Sequence, residues 1–569
     1  MTQVVLDSAP PRVPPERPAL VVSTTTAPRR RLGRVWFALL PLTFLALLLI
    51  VPLVAVVLQG MRPEGRWQLG GATEVLVQGR TWRLLAFTAW QAMWSTLLTL
   101  VVALPLAFVL ARFTFRGREL LRSLVIVPFV LPTVVVGVAF LRLIGPNGIL
   151  GVDLTGSMAA LLLAHLFLNI AVVVRTVGAV LDQVDPRIED AARVLGASRR
   201  RAFTSVTLPL ITPSVIASAV IVFLFCFTSF GVVQVLGAGS LRTLEVEIYR
   251  ATAFDLDLVT AAVLAMLQLV VVVAVLVVVS KVQRGTTHRV RFGPRDTVAR
   301  APRTIREHLL VAGIAWFGAI LLAGPLLVLV IGSVRGPSGW TLAYWTALFT
   351  PTGSTGFVDP LRAIITSVTT AAMATLIALV VGGAAVAVLA RRSTGRWFRA
   401  FDAMLMLPLG ASAVTVGLGL FLALDAPPLD LRDSWVLVPL AQALVAIPFI
   451  VRILLPVVDS FDSRLLESAA VLGASPARAR WTVMRPVVQP ALLVAAGFAF
   501  AVSIGEFGAT VFLARSDSPT LPVAITRLLG KPGELNLGQA YAASVLLMVV
   551  ITVIVLIVDR VRTAKVGAF

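Results

Sequence analysis

DPRIEDAARVLGASRRRAFTSVTLP, residues Asp185–Pro209, returns 277 residues later as DSRLLESAAVLGASPARARWTVMRP, residues Asp462–Pro486. The two copies align without a gap, so that Gly196 matches Gly473, and both copies carry Leu-Gly-Ala-Ser. A proline stands thirteen residues after this glycine in each copy. Self-similarity at a fixed offset indicates a repeated structural unit. The two segments therefore predict a duplicated fold.

The same offset relates residues outside these segments. Arg175 matches Arg452, and Phe230 matches Phe507. Chance would pair leucine with valine in two apolar sequences, but it would not keep charges and glycines in one register. The chain is therefore predicted to be an internal duplication over most of its length.

The composition is that of an integral membrane protein. Of 569 residues, 58% are hydrophobic and only 14% are charged, and the mean hydropathy is +0.94. Uncharged runs such as Val35–Leu58 exceed the roughly 20 residues that cross a bilayer as a helix. The net charge of +21 lies in short segments between apolar runs, which indicates cytoplasmic loops and not nucleic-acid binding. Cys226 is the one cysteine, so neither a disulfide framework nor a cysteine-based metal site is expected.

Six spans are predicted in each half of the chain. Their ranges are 35–59, 85–111, 121–144, 158–181, 210–236 and 258–280, then 309–333, 363–389, 403–425, 434–455, 487–513 and 540–558. An even number of spans starts both halves on the same side of the membrane. The predicted fold class is therefore all-α and polytopic, with about twelve transmembrane helices in two parallel six-helix repeats.

Basic loops give the orientation. Arginines cluster in 112–122 and 390–402, which places both loops, and both chain termini, in the cytoplasm. The loop 60–84 is an exception, since it is predicted to lie outside and yet contains four arginines. The predicted units are a disordered cytoplasmic tail, a first transmembrane domain, a basic cytoplasmic linker and a second transmembrane domain, at residues 1–30, 31–281, 282–308 and 309–569.

Each repeated segment is predicted to form two short helices joined at a glycine, and we call residues 185–209 the first elbow and 462–486 the second elbow. Asp185 before a proline is typical of a helix start, and Gly196 is typical of a left-handed helix end. Small alanines on one face let another backbone come close. Two such faces in one compartment predict a two-fold partner, although an amphipathic helix lying on lipid is the alternative.

The elbows carry a recognisable pattern: a carboxylate, one residue, alanine, three residues and glycine, with Leu-Pro about a dozen residues later in the first copy. The pattern resembles the cytoplasmic loop of binding-protein-dependent ABC importer permeases, which docks on the ATP-hydrolysing subunit. By this resemblance the coupling residues are Asp190, Ala191, Ala192, Gly196 and Pro209, and Glu467, Ala469, Ala470, Gly473 and Pro486. Asp190 replaces the usual glutamate of the family, and Arg485 replaces the usual leucine.

The resemblance also implies the partners and the location. It predicts the type I ABC importer permease fold, an ATP-binding subunit present as a homodimer that carries ATP and Mg²⁺, and an extracytoplasmic substrate-binding protein. It implies a bacterial plasma membrane, contact with lipid, and neither a cofactor nor a metal on this chain. The fused halves are similar to the thiamine and ferric-iron branch. AHLFLNIAVVVR (Ala164–Arg175) favours thiamine, or its phosphate, while SIGEFGATVFLAR (Ser503–Arg515) is at least as similar to ferric-iron permeases.

Four polar residues inside predicted spans are candidates for the translocation path. Glu506 and Ser229 occupy matching positions in the two halves, and His165 and Asn169 lie one helical turn apart. A carboxylate in a span costs several kcal/mol unless it faces a polar path or a partner. Hydrogen bonds between helices are the alternative for all four residues.

Other polar positions have predicted roles outside the path. Arg175 and Arg452 end their spans on the cytoplasmic side, where contact with lipid head groups is favoured over contact with the ATPase. Thr243–Arg250 and Thr520–Arg527 follow the fifth span of each half and are predicted short outer helices, either contacting a binding protein or packing as loops.

The sequence contains no G-x-x-x-x-G-K-[ST] phosphate loop, so ATP is expected to bind elsewhere and the chain is not expected to be an enzyme. A twelve-span secondary transporter is the rival class. Its acidic–basic loop between spans two and three is poorly matched by RFTFRGREL at Arg112–Leu120.

Overall fold

The computed structural model describes residues 29–62, 67, 69–284, 299–350, 359–390, 395–410, 412–424, 431, 434–462 and 464–566. Residues 1–28 of the predicted tail and 285–298 of the predicted linker lie outside this set. The described residues form helices almost throughout. One short hairpin pairs two strands of two residues each, β1 (Arg335–Gly336) and β2 (Gly339–Trp340). The predicted all-α class is confirmed.

The helices of the first half are α1 (Arg29–Leu45), α2 (Val51–Met61), α3 (Leu69–Val77), α4 (Gly79–Arg112), α5 (Arg118–Val130), α6 (Thr133–Ile144), α7 (Met158–Leu181), α8 (Pro186–Val194), α9 (Arg199–Ala202), α10 (Leu208–Phe227), α11 (Gly231–Leu236), α12 (Leu244–Ala253) and α13 (Leu258–Arg284). Those of the second half are α14 (Ile305–Val334), α15 (Ala343–Phe349), α16 (Pro360–Leu389), α17 (Arg396–Gly410), α18 (Ala413–Ala423), α19 (Leu437–Asp459), α20 (Arg464–Val471), α21 (Pro476–Ala479), α22 (Arg485–Ile504), α23 (Thr510–Leu513), α24 (Leu521–Leu529) and α25 (Glu534–Val566).

The duplication predicted from sequence is present in three dimensions. Helices α10 and α22 begin and end at matching positions, 277 residues apart. Each is preceded by a five-residue π-helical turn, Phe203–Thr207 in the first half and Arg480–Met484 in the second. The packing repeats too, because α7 lies against α4 and α10 as α19 lies against α16 and α22.

The count of spans agrees with the prediction once two bent pairs are included. Among the described residues, ten helices are long and apolar enough to cross a membrane, and α5–α6 and α17–α18 each pass the same test as pairs bent by 109° and 94°. The predicted spans 121–144 and 403–425 are therefore broken rather than straight. At the first break Leu131 and Pro132 are both extended, as expected where a residue precedes proline. At the second, extended Ser412 caps α18 through the N–H of Val414 at 3.1 Å.

The predicted spans 210–236 and 487–513 are also interrupted, and each long helix ends sooner than predicted. Helix α10 stops at Phe227 and α22 at Ile504, and a short helix, α11 or α23, follows each stop. A polar residue lies at each interruption, Ser229 in the first half and Glu506 in the second. Both predicted path residues are therefore on irregular backbone inside the bundle, which is tolerated in a membrane where protein or a cavity surrounds it.

The first span of each half packs on the other half. Helix α2 lies against α18, α1 lies against α16, and α14 lies against α6. Gly419 makes the first contact close, since a Cβ there would lie 2.7 Å from the carbonyl oxygen of Pro52. The two sequence repeats therefore interlock in space, while the domain boundaries inferred from the sequence remain predictions.

Ion pairs hold residues near the predicted linker and in loop 60–84. Arg300 forms hydrogen bonds of 2.7 and 2.9 Å with Glu307, and these raise the pKa of the Arg300 guanidinium. Glu307 also lies 3.6 Å from Arg199 of the first elbow. In loop 60–84, which conflicts with the charge bias, Arg80 lies 2.5 Å from Glu247 of α12. A local partner thus accounts for one of its four arginines.

Candidate functional site

The two elbows have the backbone that their sequence predicts. The side chain of Asp185 accepts a hydrogen bond from the N–H of Arg187 at 2.9 Å and caps α8, and Asp462 accepts from Arg464 at 3.0 Å. Each short helix ends at a glycine with positive φ, 91° at 196 and 84° at 473. A Cβ at either glycine would meet no atom within 4 Å. Backbone conformation, and not lack of space, therefore favours glycine there.

The second part of each elbow runs directly into a span. Ser198 caps α9 by accepting from the N–H of Arg201 at 3.3 Å, and Ser475 caps α21 in the same way at 3.3 Å. The helix is then continuous over Arg199–Phe227 in the first half and over Pro476–Ile504 in the second. Pro209 and Pro486 accordingly lie within these continuous helices. Each elbow is joined to the membrane interior without a hinge.

The tips of the elbows expose large apolar side chains at matching positions. Val194 and Leu195 are both 88% exposed, and Val471 and Leu472 are 87% and 86% exposed. The ten predicted coupling residues are all exposed or half-buried. Exposed apolar pairs of this kind are unusual outside interaction surfaces.

The carboxylates of the elbows differ more than the sequence pattern suggests. Asp190, the predicted coupling residue, lies 3.4 Å from Arg193 within its own helix. Its neighbour Glu189 instead accepts a hydrogen bond from the hydroxyl of Thr207, which ties α8 to the π-helical turn within the same elbow. The second elbow has Leu466 and Met484 at these two positions, so it lacks the side chains for this contact.

A cavity of about 320 Å³ lies between the halves and is lined by all four predicted path residues, His165, Asn169, Ser229 and Glu506. Several lining residues are matching pairs of the two repeats, namely Leu131 and Pro408, Leu168 and Val445, Phe225 and Val502, Thr228 and Gly505, Ser229 and Glu506, Phe230 and Phe507, and Gly231 and Gly508. The cavity therefore lies on the axis that relates the two halves.

His165 is the centre of a hydrogen-bond network on the first-half side of the cavity. Its Nδ1 lies 3.0 Å from the Ser95 hydroxyl, and its Nε2 lies 2.9 Å from the Ser229 hydroxyl. Asn169 donates to the carbonyl oxygen of His165 at 2.9 Å and approaches the sulfur of Cys226 at 3.5 Å. These bonds join α4, α7 and the break after α10. Lining the cavity and bonding between helices, the two roles left open by the sequence, therefore occur together.

Glu506 presents a carboxylate to the same cavity. One oxygen accepts from the N–H of Ala509 at 2.8 Å and the other from the N–H of Thr510 at 3.0 Å. The carboxylate thus caps α23, and backbone dipoles compensate its charge in a buried site. These bonds are local, to residues three and four positions along the chain, and differ from the bond to a neighbouring helix considered from the sequence; they fix an acidic group on the cavity wall.

Aromatic residues are the part of the site that the sequence did not single out. Phe230 and Phe507, which match in the repeat, stack on each other with ring centroids 5.0 Å apart and an interplanar angle of 12°. Tyr249 packs edge-on against Phe230 at 5.3 Å. Phe129, Phe225, Phe449 and Phe498 are the other aromatic residues along the described cavity wall. The repeated Phe-Gly after each polar break was the available signal.

The two segments predicted to lie outside form short helices, as the sequence predicts. Thr243–Arg250 corresponds to α12, packed on α13, and Thr520–Arg527 corresponds to α24, packed on α25. Arg452 lies within α19, two helical turns before its end at Asp459, and is 3.9 Å from Asp402; Arg175 is exposed. Contact of these elements with a binding protein, with lipid or with an ATPase remains a prediction.

Comparison with known proteins also finds two copies of one unit in the chain. The profile of the family described as binding-protein-dependent transport system inner membrane component matches residues 103–285 and again 380–565. The thiamine transport system permease protein of Brucella abortus (strain 2308) is 29% identical over 510 residues, covering 86% of this chain and 89% of its own length. That of Escherichia coli (strain K12) is 28% identical over 479 residues, covering 79% and 84%.

A third relative is similar over nearly the whole chain. The probable ABC transporter permease protein of Sinorhizobium fredii is 26% identical over 575 residues, covering 94% of this chain and 98% of its own. The resemblance inferred from the elbows is thereby confirmed. Matched twice and over more than half of its length, the chain belongs to the family of binding-protein-dependent transport system inner membrane components.

Proposed function

We propose that the chain is the membrane-spanning permease of an ATP-driven, binding-protein-dependent importer whose substrate is thiamine or its phosphate. The observation that carries this proposal is the cavity on the axis between the halves, with an acidic group and aromatic rings on its wall. Similarity to several thiamine permeases supports the same substrate.

The lining chemistry favours an organic cation. Phenyl rings attract a positive charge through their faces, and Glu506 supplies a negative charge held in place by two backbone N–H groups. An aromatic cation such as thiamine can use both. A ferric ion, the alternative substrate, prefers several oxygen ligands.

The elbows suggest how ATP hydrolysis on a separate subunit reaches this cavity. Two matching apolar tips suit two copies of one ATPase, which we propose to be a homodimer that binds ATP and Mg²⁺. Closure of that dimer would draw the tips together. Because Arg199–Phe227 and Pro476–Ile504 are continuous helices, the movement would arrive at the breaks that hold Ser229 and Glu506. The chain itself then needs neither a cofactor nor enzymatic activity.

The remaining partners follow from the same arrangement. We place the chain in a bacterial plasma membrane with both termini in the cytoplasm, surrounded by lipid. An extracytoplasmic binding protein would deliver substrate at α12 and α24. Nucleic acid has no role in this proposal, because the positive-inside bias already explains the basic clusters between the spans as cytoplasmic loops.

The test is ATP hydrolysis and uptake by the reconstituted complex of permease, ATPase and binding protein. Thiamine should stimulate hydrolysis and be taken up, and vanadate should stop uptake. Stimulation by ferric iron instead would assign the alternative substrate. Uptake that survives vanadate but collapses with the proton gradient would indicate a secondary transporter and refute the proposal.

A further inference from the structure

A second cavity lies away from the axis, at the end of the bundle that the predicted orientation places outside. It has a volume of about 660 Å³. Its charged lining residues are Arg142 from α6, Arg335 from the β1–β2 hairpin, Lys531 after α24 and Glu534 at the start of α25. Three cations and one carboxylate leave an excess of positive charge, so the cavity suits an anion.

The carboxylate in this cavity is already engaged. The hydroxyl of Tyr344 donates to an oxygen of Glu534 at 2.5 Å. Arg142 is only partly hydrogen-bonded. Its Nη1 donates to the carbonyl oxygen of Asn147 at 2.7 Å, while its buried Nε has no acceptor within the described part of the chain. A buried guanidinium N–H without an acceptor is costly, and the guanidinium of Arg142 lines the cavity, where its five N–H groups exceed the acceptors that the described chain supplies.

The charged residues of this cavity are not repeated at the matching positions of the other half. The positions that match Arg142, Arg335 and Lys531 in the repeat are Gly419, Leu58 and Phe254. The duplicated transport machinery therefore does not require this charge cluster. Close packing nevertheless accommodates it, since a Cβ at Gly332 of α14 would lie 3.0 Å from the side chain of Arg142.

Neighbouring residues indicate what kind of molecule brings the anion. The hairpin that carries Arg335 also carries Trp340, which is 75% exposed, and Leu342 follows it at 66%. On α14, the helix leading to the hairpin, Leu327 is 59% exposed. Exposed tryptophan above an exposed apolar helix face is typical of the boundary between hydrocarbon and water. The cavity therefore lies at the level of lipid head groups.

We propose that this cavity binds the phosphate of an anionic phospholipid, with Arg142 and Arg335 donating to its oxygens and Tyr344 and Tyr541 forming the wall. Arginine suits phosphate because its planar fork donates two parallel hydrogen bonds. The bound lipid joins α6 of the first half to α25 of the second. This inference goes beyond the proposed function, and it holds for any transported substrate.

Native mass spectrometry of the full-length chain, titrated with phosphatidylglycerol, phosphatidylcholine or inorganic phosphate, tests the proposal. Phosphatidylglycerol should bind preferentially, and Arg142→Gln and Arg335→Gln should each weaken it about tenfold, since a hydrogen bond to a charged group is lost. Arg83→Gln, an exposed arginine at the outer end of α4, removes the same charge elsewhere and should leave binding unchanged.

Equal phosphatidylglycerol binding by all three variants would overturn the site. Displacement of the lipid by millimolar inorganic phosphate would overturn the lipid assignment, because the site would then recognise free phosphate. Arg335 is exposed, so its variant tests the site even if Arg142→Gln folds poorly. Thermal unfolding of each variant in phosphatidylcholine alone separates loss of fold from loss of lipid, and neither readout depends on transport.

Discussion

The two elbows are alike, whereas the two sides of the axial cavity differ. Matching elbow positions share their caps, their positive-φ glycine and their exposed apolar tips. In the cavity, Ser229 stands opposite Glu506 in the repeat, and Asn169 matches Ala446. The proposed homodimeric ATPase would require two equal faces, while a single substrate molecule on the axis would contact both halves at once. The likeness of the halves is therefore greatest in the elbow backbone and tips, although the Glu189–Thr207 contact of the first elbow has no counterpart in the second.

The largest effect is expected from breaking both elbow tips together. The double change Leu195→Asp and Leu472→Asp puts charges on side chains that lie outside the core, so folding should be unaffected. Attachment of the ATPase and import should each fall by more than about tenfold, because buried interface anchors typically contribute 2 kcal/mol or more. Copurification of the ATPase and uptake into proteoliposomes measure this.

The single elbow variants sharpen the comparison. Each should reduce attachment by a similar factor if the faces are equivalent, and a loss confined to one elbow would contradict the two-fold arrangement. Leu256→Asp is the control, since this leucine is 77% exposed, lies in a loop that the predicted orientation places outside, and should not affect ATPase attachment. Intact attachment in the double variant would refute the role of the elbows.

The second prediction concerns the unequal side of the comparison. Glu506→Gln should reduce thiamine import about tenfold, through loss of the negative charge, and should also destabilise α23 by roughly 1 kcal/mol because an amide caps only one N–H well. Ser229→Ala, at the matching position, should change import by less than about threefold. Uptake rates and thermal unfolding of both variants give the two effects separately.

An equal loss of import in the two variants would show that the cavity is not polarised towards Glu506. A fall in unfolding temperature for Glu506→Gln with unchanged import would assign this residue to structure alone. The Ser229→Ala variant also removes the bond to His165, so its small expected effect is a demanding test.

The third prediction concerns Phe230 and Phe507, which occupy matching positions and touch each other. Phe230→Ala and Phe507→Ala remove the same stacked pair, so their effects on unfolding should not add. A double-mutant cycle should give a coupling of about 0.5–1.5 kcal/mol. Additive effects would mean that each ring is held by its own half. Substrate leakage without ATP should rise in either variant if the pair closes the path.

Much of this fold follows from local sequence, and the remainder depends on long-range packing. The elbows were predicted closely because Asp185, Gly196 and Ser198 act through bonds to their immediate neighbours. The ends of the helices near Ser229 and Glu506 could not be predicted. The hydropathy pattern is apolar on both sides of each break, and the hydrogen bonds of these two side chains are known only from the structure.

The candidate site shows the same division. Its polar residues could be chosen from the sequence, because polar groups inside spans are few and costly. The stacking of Phe230 on Phe507 could not, since it requires the two halves to face each other across an axis. The crossing of α2 and α14 to the opposite halves, and the basic cavity around Arg142, likewise arise from contacts between residues far apart in the chain.

The smallest effect is expected at the elbow glycines. Gly196→Ala and Gly473→Ala each put a Cβ on backbone with φ near +90°, where an L residue costs about 1 kcal/mol or more, yet no neighbour within the chain obstructs it. Hydrogen exchange of the elbow amides should increase to a similar extent in both variants, with global unfolding nearly unchanged. Gly→Asn should cost less, because asparagine tolerates this conformation. An alanine effect much larger in one elbow would mean that the two elbows, so similar in isolation, are supported differently by the rest of the molecule.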